Sequence, residues 1–412
     1  MNSHNAELPD KKEGKTIWMS ASGAAVGGAE SRMIKVASSL AESAAVRSIR
    51  LLITPELHRS YDEHATLGIM IKHPKIDIIR EERKKSLFER FLKKLYKLSG
   101  ISWKWLDQTL LVWDSWLHIY EKWITNDEEI LHCYMGDEAR NGAVLFSCKH
   151  KNKVIVEITT HRYLERVTSD LSRLLEKGNT PYNLTTVCVS LEVFKNWNRY
   201  LDQKKLNEKN IDNRAYKGAF FSGSKKKNHV QKENVIIFPH RFVGPKNGVL
   251  FSEVTHELFH EGKLNGWKVL FRGRGLNQEK MEETLQPWID QGYVEIGFTN
   301  NLFEDLQRSK IAVSLIETGS YPSQSIFEAM QAGCALLLSD SGNTKNEFEH
   351  KHIHYTTLEK DIIKQDLIRL IKKGDPYLQI AGSSMNTYYE WFKKNRNQLQ
   401  EVKSFYNIHE IV

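Results

Sequence analysis

Two cations five residues apart stand in the loop PHRFVGPKNG, which follows the apolar run NVIIF. They are Arg241 and Lys246. In open α/β sheets, ligands bind beyond the carboxyl ends of the strands, so a strand-end loop with an arginine and a lysine suits a diphosphate. A solvated basic loop is the competing interpretation. The loop alone does not decide between the two.

A second candidate is the start of a predicted helix in YPSQSIFEAM. The free N–H groups and partial positive charge of a helix N-terminus, here at Ser323, Gln324 and Ser325, can hold phosphate oxygens. Glu328 stands three residues after Ser325, which also fits a capping box, where a glutamate satisfies the first helix donors. The local pattern leaves both ligand binding and capping open for Glu328.

The segment HELFH matches the H-E-x-x-H pattern of zinc peptidases. On a helix, His256 and His260 would share one face, with Glu257 as general base and a third ligand among the downstream glutamates of EKMEE. The segment lies between two strand-like runs, NVIIFPHR and KVLFRGRG, so its apolar residues are expected to pack on a sheet. That context favours a structural helix over a zinc site.

The elements that must position these residues follow an α/β alternation in two stretches. The first opens with KTIWMSASGAAVGGAESRMIKVASSLAES, a strand, a glycine loop and a helix, and the second runs from NVIIF to ALLLSD. Between them, YKGAFFSGSKKKNHVQKEN has the composition of a linker. The sequence predicts two doubly wound α/β domains, at residues 1–220 and 231–385, with a helical segment at 386–412 packing back on the first.

Composition narrows the class of protein. Hydrophobic residues make up 40% of the 412 positions, enough for packed cores. The apolar runs are too short to span a bilayer and the N-terminus has no apolar leader pattern, so we expect a cytoplasmic location. The four cysteines are scattered and predict neither zinc nor a redox pair. The net charge of +8 favours anionic partners without choosing among them.

A basic, tryptophan-rich helical insertion is predicted near residues 81–125. In ERKKSLFERFLKKLYKLSG, leucines and phenylalanines form one helical stripe, and lysines and arginines line the rest. Such a helix packs on its own domain or lies on an anionic membrane surface. A peripheral location at a membrane is therefore a second expectation.

In their order along the chain, RFVGPKNG, KVLFRGRG, YVEIGFT and SYPSQSIFEAMQAGCALLLSDSGNTKNE resemble the nucleotide-binding half of GT-B glycosyltransferases, in particular the retaining family 4. The resemblance covers residues 233–348. It implies that Arg241 and Lys246 clamp the diphosphate of a sugar donor and that Glu328 binds its ribose. Further donor contacts are implied for Ser323, Gln324, Ser325, Arg272, Gly273 and Phe298.

The first domain resembles the same family in two shorter segments. GGAE resembles the glycine loop that lies over the donor phosphates and the acceptor, which implies a role for Gly27 and Gly28. TTHR resembles the segment with an acceptor-side histidine, here His161.

One departure concerns the family pattern Glu-x7-Glu. The residue eight positions before Glu328 is Ser320, and the nearest upstream glutamate is Glu317. Either a longer loop brings Glu317 to the donor sugar, or that contact is missing.

We therefore expect a retaining glycosyltransferase that moves a sugar from a UDP-linked donor to a saccharide or lipid-linked acceptor in polysaccharide or lipopolysaccharide synthesis. The chain contains no D-x-D, so neither a metal nor another cofactor is expected, and no nucleic acid partner. Two alternatives stay open, namely a zinc metallopeptidase through His256, Glu257 and His260, and a catalytically silent GT-B binding subunit.

Overall fold

The computed structural model describes residues 14–24, 26–64, 66–82, 112, 115–159, 164–175, 179–206, 209–216, 231–317, 323–340, 344–395 and 398–408. Nearly all of the predicted basic helix, as well as His161 and Ser320, lies outside these residues. Within the described ranges, no helix combines the length and apolarity needed to cross a bilayer.

The first domain is a parallel sheet covered by helices. Its strands are β1 (Lys15–Ala21), β2 (Val46–Ile53), β3 (Ile76–Arg80), β4 (Ile130–Met135), β5 (Val154–Ile158), β6 (Leu184–Cys188) and β7 (Ile211–Ala215). Its helices are α1 (Gly28–Ala41), α2 (Pro55–Asp62), α3 (Leu67–Met70), α4 (Leu117–Trp123), α5 (Asp137–Lys149), α6 (Leu164–Leu175) and α7 (Leu191–Gln203). The seven strands lie in the order β3-β2-β1-β4-β5-β6-β7.

The second domain repeats this plan. Its strands are β8 (Glu233–Phe238), β9 (Lys268–Arg272), β10 (Val294–Gly297), β11 (Ser309–Ser314), β12 (Ala335–Ser339) and β13 (Ile353–Thr356). Its helices are α8 (Gly248–His260), α9 (Gln278–Asp290), α10 (Leu302–Arg308), α11 (Gln324–Gln331), α12 (Thr344–Glu347), α13 (Lys360–Lys372) and α14 (Gly374–Asn395). The sheet order is β10-β9-β8-β11-β12-β13, which confirms the prediction of two doubly wound domains.

Strands buried on both faces explain the continuous apolar runs of the sequence. In β1, Ile17 and Met19 belong to the core beneath α1, whereas Trp18 belongs to the core on the opposite face. In β8, Val235 and Ile237 lie in one core and Ile236 lies in the other. In each sheet the strand order reverses beside the first strand, and this switch point is where open α/β sheets bind ligands.

The chain returns to the first domain near its C-terminal end. The predicted boundary after residue 385 falls inside α14, which is continuous and packs on α11 and β12. The last described helix, α15 (Gln398–Phe405), contacts α1, and Tyr406 enters the core of the first domain. Nζ of Lys15 donates to the carbonyl oxygen of Tyr406 over 2.8 Å.

Candidate functional site

The two central strands of the second sheet are joined at their carboxyl ends by a buried side-chain contact. His240 follows β8, and its Nε2 lies 2.8 Å from Oγ of Ser314, the last residue of β11. Burial, assisted by the positive charge of Lys246, holds the pKa of His240 well below its usual value. The imidazole is therefore neutral at pH 7 and fixes the spacing of the two loops that leave this edge.

The loop with the two cations is supported on one side by the β9 loop. The N–H of Phe242 donates to the carbonyl oxygen of Arg274 over 2.9 Å. A β-carbon on Gly273 would overlap the carbonyl oxygen of His240, and one on Gly275 would overlap that of Phe242. The glycines of RGRG are thus needed for the close approach of two backbones, and Gly273 supports the candidate site through this packing.

On its other side, the same loop is bound by the segment after β11. Asn247 has a left-handed backbone with φ of 56°, and its Nδ2 donates to the carbonyl oxygen of Leu315 over 2.9 Å. The N–H of Glu317 donates to the carbonyl oxygen of Pro245 over 3.0 Å. The structure therefore brings Glu317, whose side chain is exposed, next to the turn that contains Lys246.

Arg241 and Lys246 are neighbouring cations, and the buried Glu30 interacts electrostatically with Arg241. Neither forms an ion pair with any residue that the structure describes. Burial, and secondarily the charge of Arg241, lower the pKa of the half-buried Lys246 to about 8. Their proximity disfavours the charged lysine, and an anion placed between the two side chains would reverse that effect.

The glycine loop of the first domain lies against Arg241. A β-carbon on Gly27 would stand 3.7 Å from Cζ of Arg241, and one on Gly28 would meet open space. The N–H of Gly27 already donates to Oε2 of the buried Glu30 over 3.1 Å. Burial raises the pKa of Glu30, opposed by its backbone hydrogen bonds and by Arg241. Because Glu30 occupies this N–H, Gly28 and the open space above it are the better place for a phosphate.

Glu328 makes a contact that the sequence analysis missed. Its Oε1 accepts a hydrogen bond from Nζ of Lys35 on α1 over 2.7 Å, across the two domains. Helix α11 begins at Gln324 with Ser323 as its N-cap, so Ser325 lies inside the helix and its Oγ bonds that of Ser323. The capping-box interpretation was therefore wrong, because the helix begins two residues earlier than that box requires.

Arg272 does not belong to the open part of the site. Its Nε lies 2.7 Å from Oδ2 of Asp305, and its Nη2 lies 2.5 Å from Oε2 of Glu295. These two acids hold the guanidinium within the second domain, so we assign it a structural role. Arg274, which the sequence analysis passed over, instead places its guanidinium 3.9 Å from the ring centroid of Phe298.

The HELFH segment forms part of α8 and is engaged with α13. Glu257 is ion-paired with Lys360 at 2.7 Å and with Lys364 at 2.6 Å, and these hydrogen bonds lower its pKa. Nδ1 of His256 accepts a hydrogen bond from the indole of Trp288. In the part of the chain that the structure describes, no three His, Cys, Asp or Glu side chains are grouped to hold a metal ion. The zinc peptidase alternative thus has no support in this geometry.

Comparison by sequence finds no matching protein family and no matching curated protein. Comparison of structures finds a mutant of S. aureus TarM, in complex with fondaparinux, α-GlcNAc-glycerol and UDP, at 13% identity and a TM-score of 0.67, covering 96% of this chain and 100% of that one. Anabaena HepE in complex with UDP-glucose matches at 10% identity and 0.64, covering 95% and 98%. The pneumococcal O-GlcNAc transferase GtfA, in complex with UDP and GlcNAc, matches at 10% identity and 0.64, covering 96% and 99%. The chain has the GT-B fold.

Proposed function

We propose that this GT-B chain transfers a sugar from a UDP-linked donor to a saccharide acceptor. The observation that carries the proposal is the couple of Arg241 and Lys246 at the carboxyl end of β8, opposite Gly27, where neither cation is in an ion pair with a described residue. Two neighbouring cations that no close ion pair neutralises are costly in the free protein. A diphosphate is the ligand whose charge and length offset that cost.

These cations would act on the leaving group. Departure of the nucleotide develops negative charge on the β-phosphate, and fixed cations are most effective where charge develops in the transition state. Lys246, with a pKa of about 8, is mostly protonated at pH 7 and would be held protonated by the bound diphosphate. Arg241 supplies a permanent charge from the face that meets the first domain.

The nucleoside would bind between α11 and α1. Glu328 stands in the second turn of α11 with its Oε2 free of hydrogen bonds from any described residue, so that oxygen can accept from a ribose hydroxyl. The UDP complexes of the TarM mutant and GtfA, and the UDP-glucose complex of HepE, support uridine as the nucleoside.

Finer features of the reaction rest on the family 4 resemblance and belong to the same proposal. They are retention at the anomeric carbon, independence of metal ions, a contact from Glu317 to the donor sugar and an acceptor-side role for His161. The expected acceptor is lipid-linked and belongs to polysaccharide or lipopolysaccharide synthesis. The enzyme would meet it at the cytoplasmic face of the membrane.

The test combines ligand stabilisation with turnover. At about 100 times its dissociation constant a ligand adds ~2.7 kcal/mol to the free energy of unfolding, so UDP should raise the melting temperature clearly more than GDP or dTDP. Arg241→Ala and Lys246→Ala should each lower kcat/KM for a UDP-sugar by about 10² to 10³, as loss of an oxyanion-stabilising donor does.

Arg369→Ala is the matched control, because Arg369 is exposed on α13, where it pairs with Asp366 of the same helix, and its loss should leave turnover unchanged. Wild-type turnover in both site variants would refute the diphosphate clamp. UDP binding without hydrolysis or transfer of any sugar would instead indicate the silent binding subunit.

A further inference from the structure

The described residues include two ion pairs that join the domains, and they differ in burial. Lys35 and Glu328 have side chains 11% and 21% exposed, with 2.7 Å between Nζ and Oε1. Arg274 and Glu63 are 57% and 46% exposed, at 3.4 Å. Exposed pairs are screened by solvent and salt and contribute little, whereas a partly buried pair with short geometry orders its side chains. The pair of Lys35 and Glu328 is therefore the one of these two that can hold its side chains in a fixed geometry.

Helix α1 touches the second domain at two places along its length. At its start Gly27 faces the guanidinium of Arg241, and eight residues later Lys35 binds Glu328. Eight helical residues span roughly 12 Å along the axis. The helix thus runs beside the proposed nucleotide from its diphosphate end, at Arg241, to its ribose end, at Glu328.

The surroundings of the pair leave Lys35 as the group that fixes Glu328. His64 lies near both, but its pKa is lowered chiefly by burial, so its imidazole is neutral at pH 7. Tyr389 also faces Glu328, and its pKa is raised, chiefly by burial, so the phenol is neutral. Oε1 of Glu328 is occupied by Lys35, and no described residue donates to Oε2.

We propose that Lys35 is a positioning residue for nucleotide binding, which holds Oε1 of Glu328 so that Oε2 accepts one ribose hydroxyl. This inference rests on the proposed function, since it assigns the ribose to Glu328. Each carboxylate oxygen can accept more than one hydrogen bond, but the ammonium on Oε1 leaves Oε2 as the oxygen without a donor among the described residues. Without Lys35, the side chain of Glu328 samples other rotamers. Fixing it in one rotamer when the nucleotide binds then costs conformational entropy, which lowers the affinity. Nucleotide binding thereby depends on both domains.

The experiment compares Lys35→Met, Lys35→Arg, Glu328→Gln and the double variant Lys35→Met with Glu328→Gln, by calorimetric titration with UDP and its 2′-deoxy and 3′-deoxy analogues. Lys310→Met is the matched control, because Lys310 is 10% exposed and pairs with Asp375 at 2.6 Å entirely within the second domain. Melting temperatures of all variants report on folding.

Lys35→Met should raise the dissociation constant of UDP at least tenfold, Lys35→Arg should restore it to within about threefold, and Lys310→Met should leave it unchanged. In the Glu328→Gln background, Lys35→Met should add little, because it acts through Glu328. Of the two deoxy analogues, only one should bind the wild type more weakly than UDP.

Three results overturn the inference while leaving the proposed function intact. They are equal or tighter UDP binding by Lys35→Met, an undiminished effect of that change in the Glu328→Gln background, and an equal loss of affinity for both deoxy analogues. If the wild type binds no nucleotide, both proposals are overturned. This outcome is distinguished from the other three because the wild type and every variant then behave alike.

Discussion

Lys246 has a charge that depends on pH near neutrality, because burial and Arg241 lower its pKa to about 8. Bound diphosphate favours the protonated form and raises that pKa. Between the pKa of Lys246 in the free protein and its higher pKa in the complex, binding requires the uptake of a proton. UDP affinity should therefore fall with rising pH in this range, by up to tenfold per pH unit. Titrations from pH 7 upward measure this, since phosphate groups with a second pKa of about 6 are already ionised there.

Lys246→Arg is the control for this pH dependence. Arginine keeps its charge over the whole range, so the variant should lose the fall in affinity above pH 8 while still binding UDP. A wild-type dissociation constant that stays level from pH 7 to pH 9.5 would contradict the assignment of Lys246 to the diphosphate.

Gly273 permits a test of how the cation loop is held. A methyl group in Gly273→Ala would overlap the carbonyl oxygen of His240, so the free energy of unfolding should fall by about 1–3 kcal/mol and UDP binding should weaken. Gly244→Ala, where the added carbon meets nothing within 4 Å, should stay within about 0.5 kcal/mol of wild type. Denaturant unfolding measures the free energy of unfolding of both variants. A Gly273→Ala variant as stable as the wild type would contradict the close approach of the two backbones.

The arginines of RGRG show what sequence could and could not reveal about single residues. The motif located the right loop, yet Arg272 pairs with Asp305 and Glu295 while Arg274 stacks on Phe298. Which arginine is held by acids and which stacks on an aromatic ring depends on how the neighbouring strands and α10 pack. The sequence of the motif does not determine that packing. Lys35 was missed for a similar reason, because its partner lies 293 positions away in the chain.

Among the elements, α1 is unusual in burying three charged side chains, Glu30, Arg32 and Lys35. Arg32 pairs with the buried Glu157 of β5. Burial raises the pKa of Glu157, opposed by Arg32, so this pair anchors α1 to its own sheet. Arg32 therefore ties α1 to its own sheet and Lys35 ties it to the second domain, whereas Glu30 caps the start of the helix itself.

Breaking the buried pair on one side should be costly. Arg32→Met or Glu157→Gln should each lower the free energy of unfolding by about 3–5 kcal/mol, because the remaining group is left buried without its partner. The double change of Arg32 and Glu157 to methionine should recover most of that loss, since no buried charge remains. Denaturant unfolding compares the three, and a double variant no more stable than the single ones would contradict this account.

The strands could be predicted well, since a sheet buried on both faces requires short, continuous apolar runs such as those of β8 and β12. The boundary predicted after residue 385 lies within α14, although the sequence there has the pattern of a continuous helix. Helical periodicity runs through YYEWFKKN without a glycine or proline, so α14 continues to Asn395, and the crossing to the first domain follows it.

For the protein as a whole, contact with a membrane stays a prediction, because the predicted basic helix lies outside the described residues. The chain should co-sediment with acidic vesicles at low salt and be released at high salt, as each basic side chain contributes ~1 kcal/mol near such a surface. Changing Lys93, Lys94 and Lys97 to glutamate should abolish binding, and vesicles ignored by the wild type would refute it. The same triple change at residues 351, 372 and 373 serves as the charge-matched control.

The hydrogen bond from Lys15 to Tyr406 joins the first strand to the end of the chain, so the first domain can be completed only late in synthesis. The two residues are 391 positions apart, yet both belong to the first domain, and Phe405, Tyr406 and Ile408 help to fill its core. At translation rates of 5–20 residues per second, these side chains are synthesised roughly 20 to 80 s after the N-terminal strand. During that interval nearly all of the second domain is made, while the nascent first domain exposes the apolar face that these side chains cover. The half of the protein that is made first is therefore the half that needs chaperone protection longest.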